Sequence, residues 1–321
     1  MIFPMSRSRL YPISRCAGAI ALGAGLSACS SLSLHGDVEN RAGAHWSDSR
    51  VASFPKGGKT LRGPFLAEPL TLTVRGLPAH KLVKLRFRLI VLGSWDGSHE
   101  VWGPDLWSLQ VRGGQRLLCT TFSNMGSYNG NGPQSFPDDY PWVRNSCWAG
   151  AESHDTLGFP RSSGFSTQKD LNDAVYLVEA VFPHEGDSVT LDFMGNYGDP
   201  RMSQQSWGLA DFEITTSPEY AALDNDTLAA LWGDLASPDP VKANAALWRL
   251  ASGGDRSHVY VSDRVAEVEA AIAQGERPVP PVRGAEARRL HRAHRLVRIL
   301  CGERTSDLCY RMERILPEYF R

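Results

Sequence analysis

Neither sign of charge is in surplus in this chain. Its 321 residues carry 34 Lys and Arg against 35 Asp and Glu, a formal net charge of -1 at pH 7. A nucleic-acid binder presents a broadly basic surface to phosphates, so this balance argues against that class. Beyond residue 26 the sequence has no long hydrophobic run, whereas a membrane-spanning helix needs about 20 apolar residues. Catalytic signatures are absent as well: no His-Glu-x-x-His, no Gly-x-x-x-x-Gly-Lys-Ser/Thr and no dinucleotide fingerprint. No Cys-x-x-Cys spacing supports a zinc site. Asp138 and Asp139 are adjacent carboxylates, but neighbours in sequence make no catalytic dyad without facing geometry. The expectation is a non-catalytic protein, with a hydrolase using loop carboxylates as the alternative.

What is present begins with a basic, then apolar, N-terminus. Arg7, Arg9 and Arg15 precede the apolar stretch Cys16 to Leu26, and no acidic residue occurs before Asp37. A basic start, a short apolar core and small residues at the end are the parts of a secretory signal. Leu26-Ser-Ala-Cys29 resembles the bacterial lipobox. The resemblance implies removal of residues 1–28 and acylation of Cys29, giving an exported protein held to the membrane by lipid. Ser30 follows the cysteine, which by analogy with enterobacterial sorting implies the outer membrane, facing the periplasm or the cell surface. Residues 29–58, rich in Ser, Gly and Asp, read as a tether.

Of six cysteines, Cys16 leaves with the signal and Cys29 is the lipid site. Cys119, Cys147, Cys301 and Cys309 remain. An exported compartment favours disulfides, and proximity suggests Cys119–Cys147 and Cys301–Cys309; four buried thiols are the other reading.

Residues 59–216 carry strand signals. Leu70-Thr-Leu-Thr-Val74 alternates with period two, and Lys84 to Leu92 starts as alternation and ends as a continuous apolar run. Several such segments, separated by Gly, Pro and Asp without helical patterns between them, predict an antiparallel β-sandwich. Residues 123–166 form a long irregular region, and loops of that length are usually functional or packed on the body. Over residues 217–321 the period changes to that of helices. Leu228, Leu231, Trp232 and Leu235 form one stripe, and Ala243, Ala246, Leu247 and Leu250 a second. Asp224 or Asp226 is a candidate cap. Further helices are expected at about 259–274, 284–300 and 305–316.

The motifs of the strand region, taken in order, resemble a bacterial jelly-roll family of the galactose-binding-like kind. They include Ser94-Trp-Asp-Gly97, Gly103-Pro-Asp-Leu-Trp107, Thr120-Thr-Phe-Ser-Asn124, Gln134 to Pro141, Thr156-Leu-Gly158 and Ser206-Trp-Gly-Leu209. The helical part resembles HEAT-type repeats, on Leu231 to Ala251. Together these imply a mainly β-plus-α chain, an antiparallel jelly-roll β-sandwich followed by a small all-α HEAT-like domain. Such jelly rolls bind sugars or proteins or are purely structural, so fold alone does not give function.

Three groups of residues are candidates for binding. Trp102, Trp142 and Trp148 lie in loops; with Asp138 and Asp139 nearby they would grip a sugar, or else they pack. Asp96, Asp105 and Asp211 offer oxygens for a structural calcium, or else serve as turn and cap residues. Arg288 to Arg298 is basic with apolar residues at helical spacing, which reads as a buried stripe with a solvated basic face, or as contact with anionic lipid or wall polymer. The expected partners are therefore the membrane through Cys29, and an envelope protein or glycan.

Overall fold

Alternation along the strands decides which side of each sheet is buried. The structure, a computed structural model, describes residues 33–34, 43–124, 132–159, 172–196, 205–274, 284–302, 307–308 and 311–312. Its strands are β1 (Ser33–Leu34), β2 (Ala44–Trp46), β3 (Val51–Ser53), β4 (Thr60–Phe65), β5 (Leu70–Arg75), β6 (Leu82–Leu92), β7 (Leu106–Val111), β8 (Arg116–Thr121), β9 (Ala151–His154), β10 (Asp173–Pro183), β11 (Ser188–Asn196) and β12 (Ser206–Ser217). The helices are α1 (Asn225–Asp234), α2 (Pro240–Ala251), α3 (Gly254–Ala273) and α4 (Ala285–Cys301).

One sheet runs β3-β4-β12-β6-β10-β9, with β1 also on β12; the other runs β2-β5-β11-β7-β8. The named ladders are antiparallel throughout. Successive strands β4, β5, β6 and β7 alternate between the two sheets, the wrap of a jelly roll. Phe87, Trp107, Phe193, Trp207 and Phe212 meet between the sheets, with ring centroids 5.5–6.3 Å apart. The apolar end of β6 is explained by its two covered faces. Leu89 and Val91 belong to the inner core, while Ile90 and Leu92 join Phe54, Leu61 and Val175 in a second cluster.

The strand region begins earlier than residue 59. β1, β2 and β3 all fall within the stretch read as a tether, and Trp46 of β2 packs 5.3 Å from Phe212. Elements of two or three residues are too short for a period-two pattern to register, which is why sequence reading passed over them. Cys29 lies outside the described residues.

Helix starts follow local chemistry. Asp224, rather than Asp226, caps α1 by accepting from the Thr227 amide at 2.8 Å. Asp239 caps α2 by accepting from Val241 and Lys242, with Pro240 at the first helical position. The third helix starts at Gly254, five residues before its expected start. The expected helix at 305–316 lies mostly outside the described residues.

The helices do not stand apart as a separate array. α2 packs on β10, and α4 on β8 and β10, and one continuous cluster of buried residues runs from the sandwich into the helices. Here the basic run departs from the expected solvated face. Arg292 and Arg295 of α4 are 2% and 3% exposed. Arg292 grips Asp138 with both sides of its fork, at 2.6 and 2.9 Å, and donates to the Leu235 and Ser237 carbonyls at 2.8 Å. Arg295 donates to the Leu117 and Pro137 carbonyls and lies 4.9 Å over the Trp248 ring. Desolvation lowers its pKa, opposed by Asp139 and Asp138. Helical spacing cannot distinguish a charge facing water from one facing a carboxylate on another element.

Removing one member of a buried ion pair leaves the other uncompensated. Asp138→Ala is expected to lower unfolding free energy by about 3–5 kcal/mol in denaturant titration. Asp138→Leu combined with Arg292→Met is expected to recover a large part of that loss. A double variant as unstable as the single one contradicts the assignment.

Candidate functional site

The loop residues expected to bind a ligand are largely engaged within the protein. Asp138 is held by Arg292, and by the Asn145 amide at 3.3 Å. Asp139 accepts from the Cys119 amide at 3.1 Å and faces Arg295 and Arg298 at 3.5 and 3.6 Å. Trp142 stacks on His291 of α4, with centroids 4.7 Å apart. Trp148 lies face to face with His154 at 3.9 Å and packs against the core, at a positive φ of 60°. Trp102 and Trp142 are the more exposed of the three, at 55% and 49%, and Trp102 lies beside exposed Val101.

Gln134, named above only as the start of a motif, organises this region. The Gln134 side-chain oxygen accepts from Ser123, Trp148 and the Tyr176 hydroxyl at 3.1–3.2 Å, and its nitrogen donates to the Ala149 carbonyl at 2.9 Å. One buried amide thereby ties the long loop to β10.

Cys119 and Cys147 do not form the expected disulfide. The Cys147 thiol donates to the Ser123 carbonyl at 3.1 Å, four residues beyond Cys119. Four extended residues span about 13 Å, while a disulfide requires Cα atoms within about 7 Å. Burial instead pushes the Cys119 thiol pKa up. Cys309 lies outside the described residues, so the pairing with Cys301 stays an expectation.

The three calcium candidates do not assemble. Asp96 and Asp105 meet, the Asp96 amide donating to Asp105 Oδ2. Asp211 sits at φ 49° in a bulge of β12 and pairs with Arg88 at 2.6 Å. A bulge re-aims a side chain relative to the regular pleat, and no strand-period argument would place it. Among the described residues no three His, Cys, Asp or Glu side chains gather. Burial pushes the Asp105 carboxyl up to about 7.

A groove of about 330 Å³ lies on the outer face of the larger sheet. Ile90, Val175 and Ala210 floor it, and Arg88, Glu152, Asp211, Lys56 and Lys59 rim it. Arg88 is bonded to Glu152 at 2.6 Å and to Asp211 at 2.6 Å. Both contacts raise the Arg88 pKa, Glu152 most. Asp173 shapes the wall: its carboxylate accepts from the amides of Thr156, Leu157, Gly158 and Phe159 at 2.9–3.3 Å. The Lys56 amide donates to the Leu157 carbonyl, joining this wall to the β3–β4 turn. Gly158 is required at that contact, since a Cβ would come 2.9 Å from the Lys56 side chain and its φ is +89°. A sequence signal for the groove exists in Arg86-Phe-Arg88-Leu-Ile90, where alternation puts two charges and an apolar residue on one outward face.

No protein-family model matches the chain, and no curated protein matches it. Among solved structures, it is similar to the C-terminal CBM6 of LamC, a marine laminarinase from Zobellia galactanivorans. Identity there is 11%, covering 59% of this chain and 100% of that one, with a TM-score of 0.26. Arcelin-5, a lectin-like defense protein from Phaseolus vulgaris, is 9% identical over 59% of this chain and 99% of its own, with a TM-score of 0.27. A family GH115 4-O-methyl-alpha-glucuronidase is 12% identical over 56% of this chain and 18% of its own, with a TM-score of 0.21. Likenesses this slight carry no argument about a ligand.

Stacked under Trp142, His291 makes a pH prediction. Burial, aided by His294 and Arg292, pushes its pKa down to about 2, against an ordinary value near 6.5. The unfolded chain takes up a proton below about pH 6.5 that the folded chain refuses. This contribution to stability is thus complete above that pH and lost as pH falls toward 2, by up to about 1.4 kcal/mol per unit. His291→Gln is expected to flatten the slope in urea unfolding between pH 6.5 and 4; an unchanged slope excludes His291 as its source.

Proposed function

We propose that the protein is a non-catalytic, lipid-anchored module of the bacterial envelope whose sandwich binds a glycan in the groove around Arg88. The groove carries this reading. Its volume falls in the range of small-ligand sites, and it combines an apolar floor with a few convergent polar groups. Sugars offer that pairing: ring C–H faces for Ile90 and Val175, and hydroxyls for Lys56, Lys59, Glu152 and Asp211. Lys56 and Lys59 are exposed at the rim.

A binding role is favoured over hydrolysis by how the carboxylates are used. Glu152 and Asp211 are both ion-paired to Arg88, and Asp138 and Asp139 face the arginines of α4. The anchor rests on the N-terminal sequence alone: a basic start, an apolar core and Leu26-Ser-Ala-Cys29. Two or more acyl chains on Cys29 would hold the protein stably at the membrane, where one would be marginal.

Protein purified from membranes tests both parts. Its intact mass is expected to match an acylated chain beginning at Cys29. On a glycan array it is expected to bind a defined set of saccharides, and Lys56→Ala with Lys59→Ala to weaken that binding at least tenfold without altering thermal stability. An unacylated full-length mass removes the anchor. No saccharide bound, or binding indifferent to both lysines, removes the groove as a glycan site.

A further inference from the structure

Three buried side chains present oxygens for which no donor is found among the described residues. Gln205 is 1% exposed, and its nitrogen donates to the Ser94 carbonyl at 2.7 Å and to Asp105 Oδ2 at 2.8 Å. Both partners are acceptors, so the amide cannot be turned round, and its Oε1 has no partner. Asn124 repeats the arrangement. Its nitrogen donates to the Val91 and Gly93 carbonyls at 3.2 and 3.3 Å, which fixes its orientation and leaves Oδ1 without a donor. Asp105, 1% exposed, fills Oδ2 with the Asp96 amide and Gln205, while Oδ1 has none.

These side chains are tethered to one short turn. Gln205 holds Ser94, Asn124 holds Gly93 and also donates its own amide to the Trp95 carbonyl at 2.8 Å, and Asp105 holds Asp96. The turn closes on itself through the Trp95 amide and Gly93 carbonyl at 3.0 Å. Three acceptors without a donor, held at one turn, call for a partner. Acceptors alone are satisfied by water or by a cation. A donor set of oxygens only, with a carboxylate and two amide oxygens and neither His nor Cys, suits a hard cation with flexible geometry.

We propose that Asp105 Oδ1, Gln205 Oε1 and Asn124 Oδ1 bind a calcium ion at the Gly93–Asp96 turn, fastening the end of β6 to the start of β12. Neither Asp211 nor the groove around Arg88 takes part, so the site is independent of the glycan reading. The low ligand charge places its affinity with extracellular calcium modules, with Kd of about 10⁻⁴–10⁻³ M.

The test is calcium titration of the full protein after stripping with EDTA, by calorimetry and thermal unfolding. One calcium per chain is expected, with Tm raised by roughly 4–8 °C at saturation. Asp105→Asn removes a buried charge while keeping the shape, so it is expected to fold and to be at least as stable as the unaltered protein in EDTA, yet to bind calcium at least tenfold more weakly. Asn124→Leu is expected to weaken binding as well. No heat and no shift in the unaltered protein means that water fills the turn and overturns the proposal. An undiminished calcium response in Asp105→Asn overturns it equally, by placing the ion elsewhere.

Discussion

Between the last long helix and the sandwich, a guanidinium and a carboxylate meet almost entirely out of water. Arg292 spends its fork on Asp138 and its remaining nitrogen on two carbonyls that follow α1. Charges taken into a low-dielectric interior lose hydration worth several kcal/mol each, and only near-complete hydrogen bonding offsets the loss. That requirement is geometric. It fixes α4 against the Pro137–Asp139 turn, and through Leu235 and Ser237 it fixes the end of α1 at the same place. Arg295, one turn further along α4, repeats the device on the Leu117 and Pro137 carbonyls. The placement of the helices on the sandwich therefore depends on contacts that tolerate little displacement, whereas the apolar contacts around them would tolerate more.

The two faces of the larger sheet are used differently. Its inner face is closed by aromatic packing against the second sheet, and the helices extend that closed side through α2 and α4. Among the described residues, Phe54, Leu157 and Phe159 pack on part of its outer face with Leu61, Ile90, Leu92 and Val175. Where the cover ends, charged residues of β6, β9 and β12 border the groove. The same β6 that anchors the core through Leu89 and Val91 thus presents Arg88 to the groove, because successive side chains of a strand point to opposite faces.

Much of the architecture was legible in the amino-acid order. The alternation in Leu70–Val74 and Lys84–Phe87, the helical stripes of α1 and α2, and the aspartate before α1 are local signals, and the elements formed where those signals stood. The sites were less legible because they depend on contacts between distant residues. Arg292 and Asp138 are 154 residues apart, and nothing near either position reveals the other. Asp211 was read as a cation ligand with Asp96 and Asp105, but a bulge turned it toward Arg88. Cys119 and Cys147 are near in sequence, yet the Cys147 thiol meets the Ser123 carbonyl beyond the end of β8, too far from Cys119 to bridge. Gln134 and Asp173 organise two loops through backbone amides, and a single polar residue in a loop carries no pattern that marks it for that task.

If the buried arginines join the helices to the sandwich as one cooperative body, the two should open together. Native-state hydrogen exchange of the whole protein measures this directly. The account predicts that the central amides of α2 and α4 exchange in the same slow class as those of β8 and β10, with protection that falls together as denaturant is added. If α2 and α4 exchange as a separate unit at least about tenfold faster than these strands, a gap of about 1.4 kcal/mol, the helices are a loosely docked appendage and the central claim is wrong.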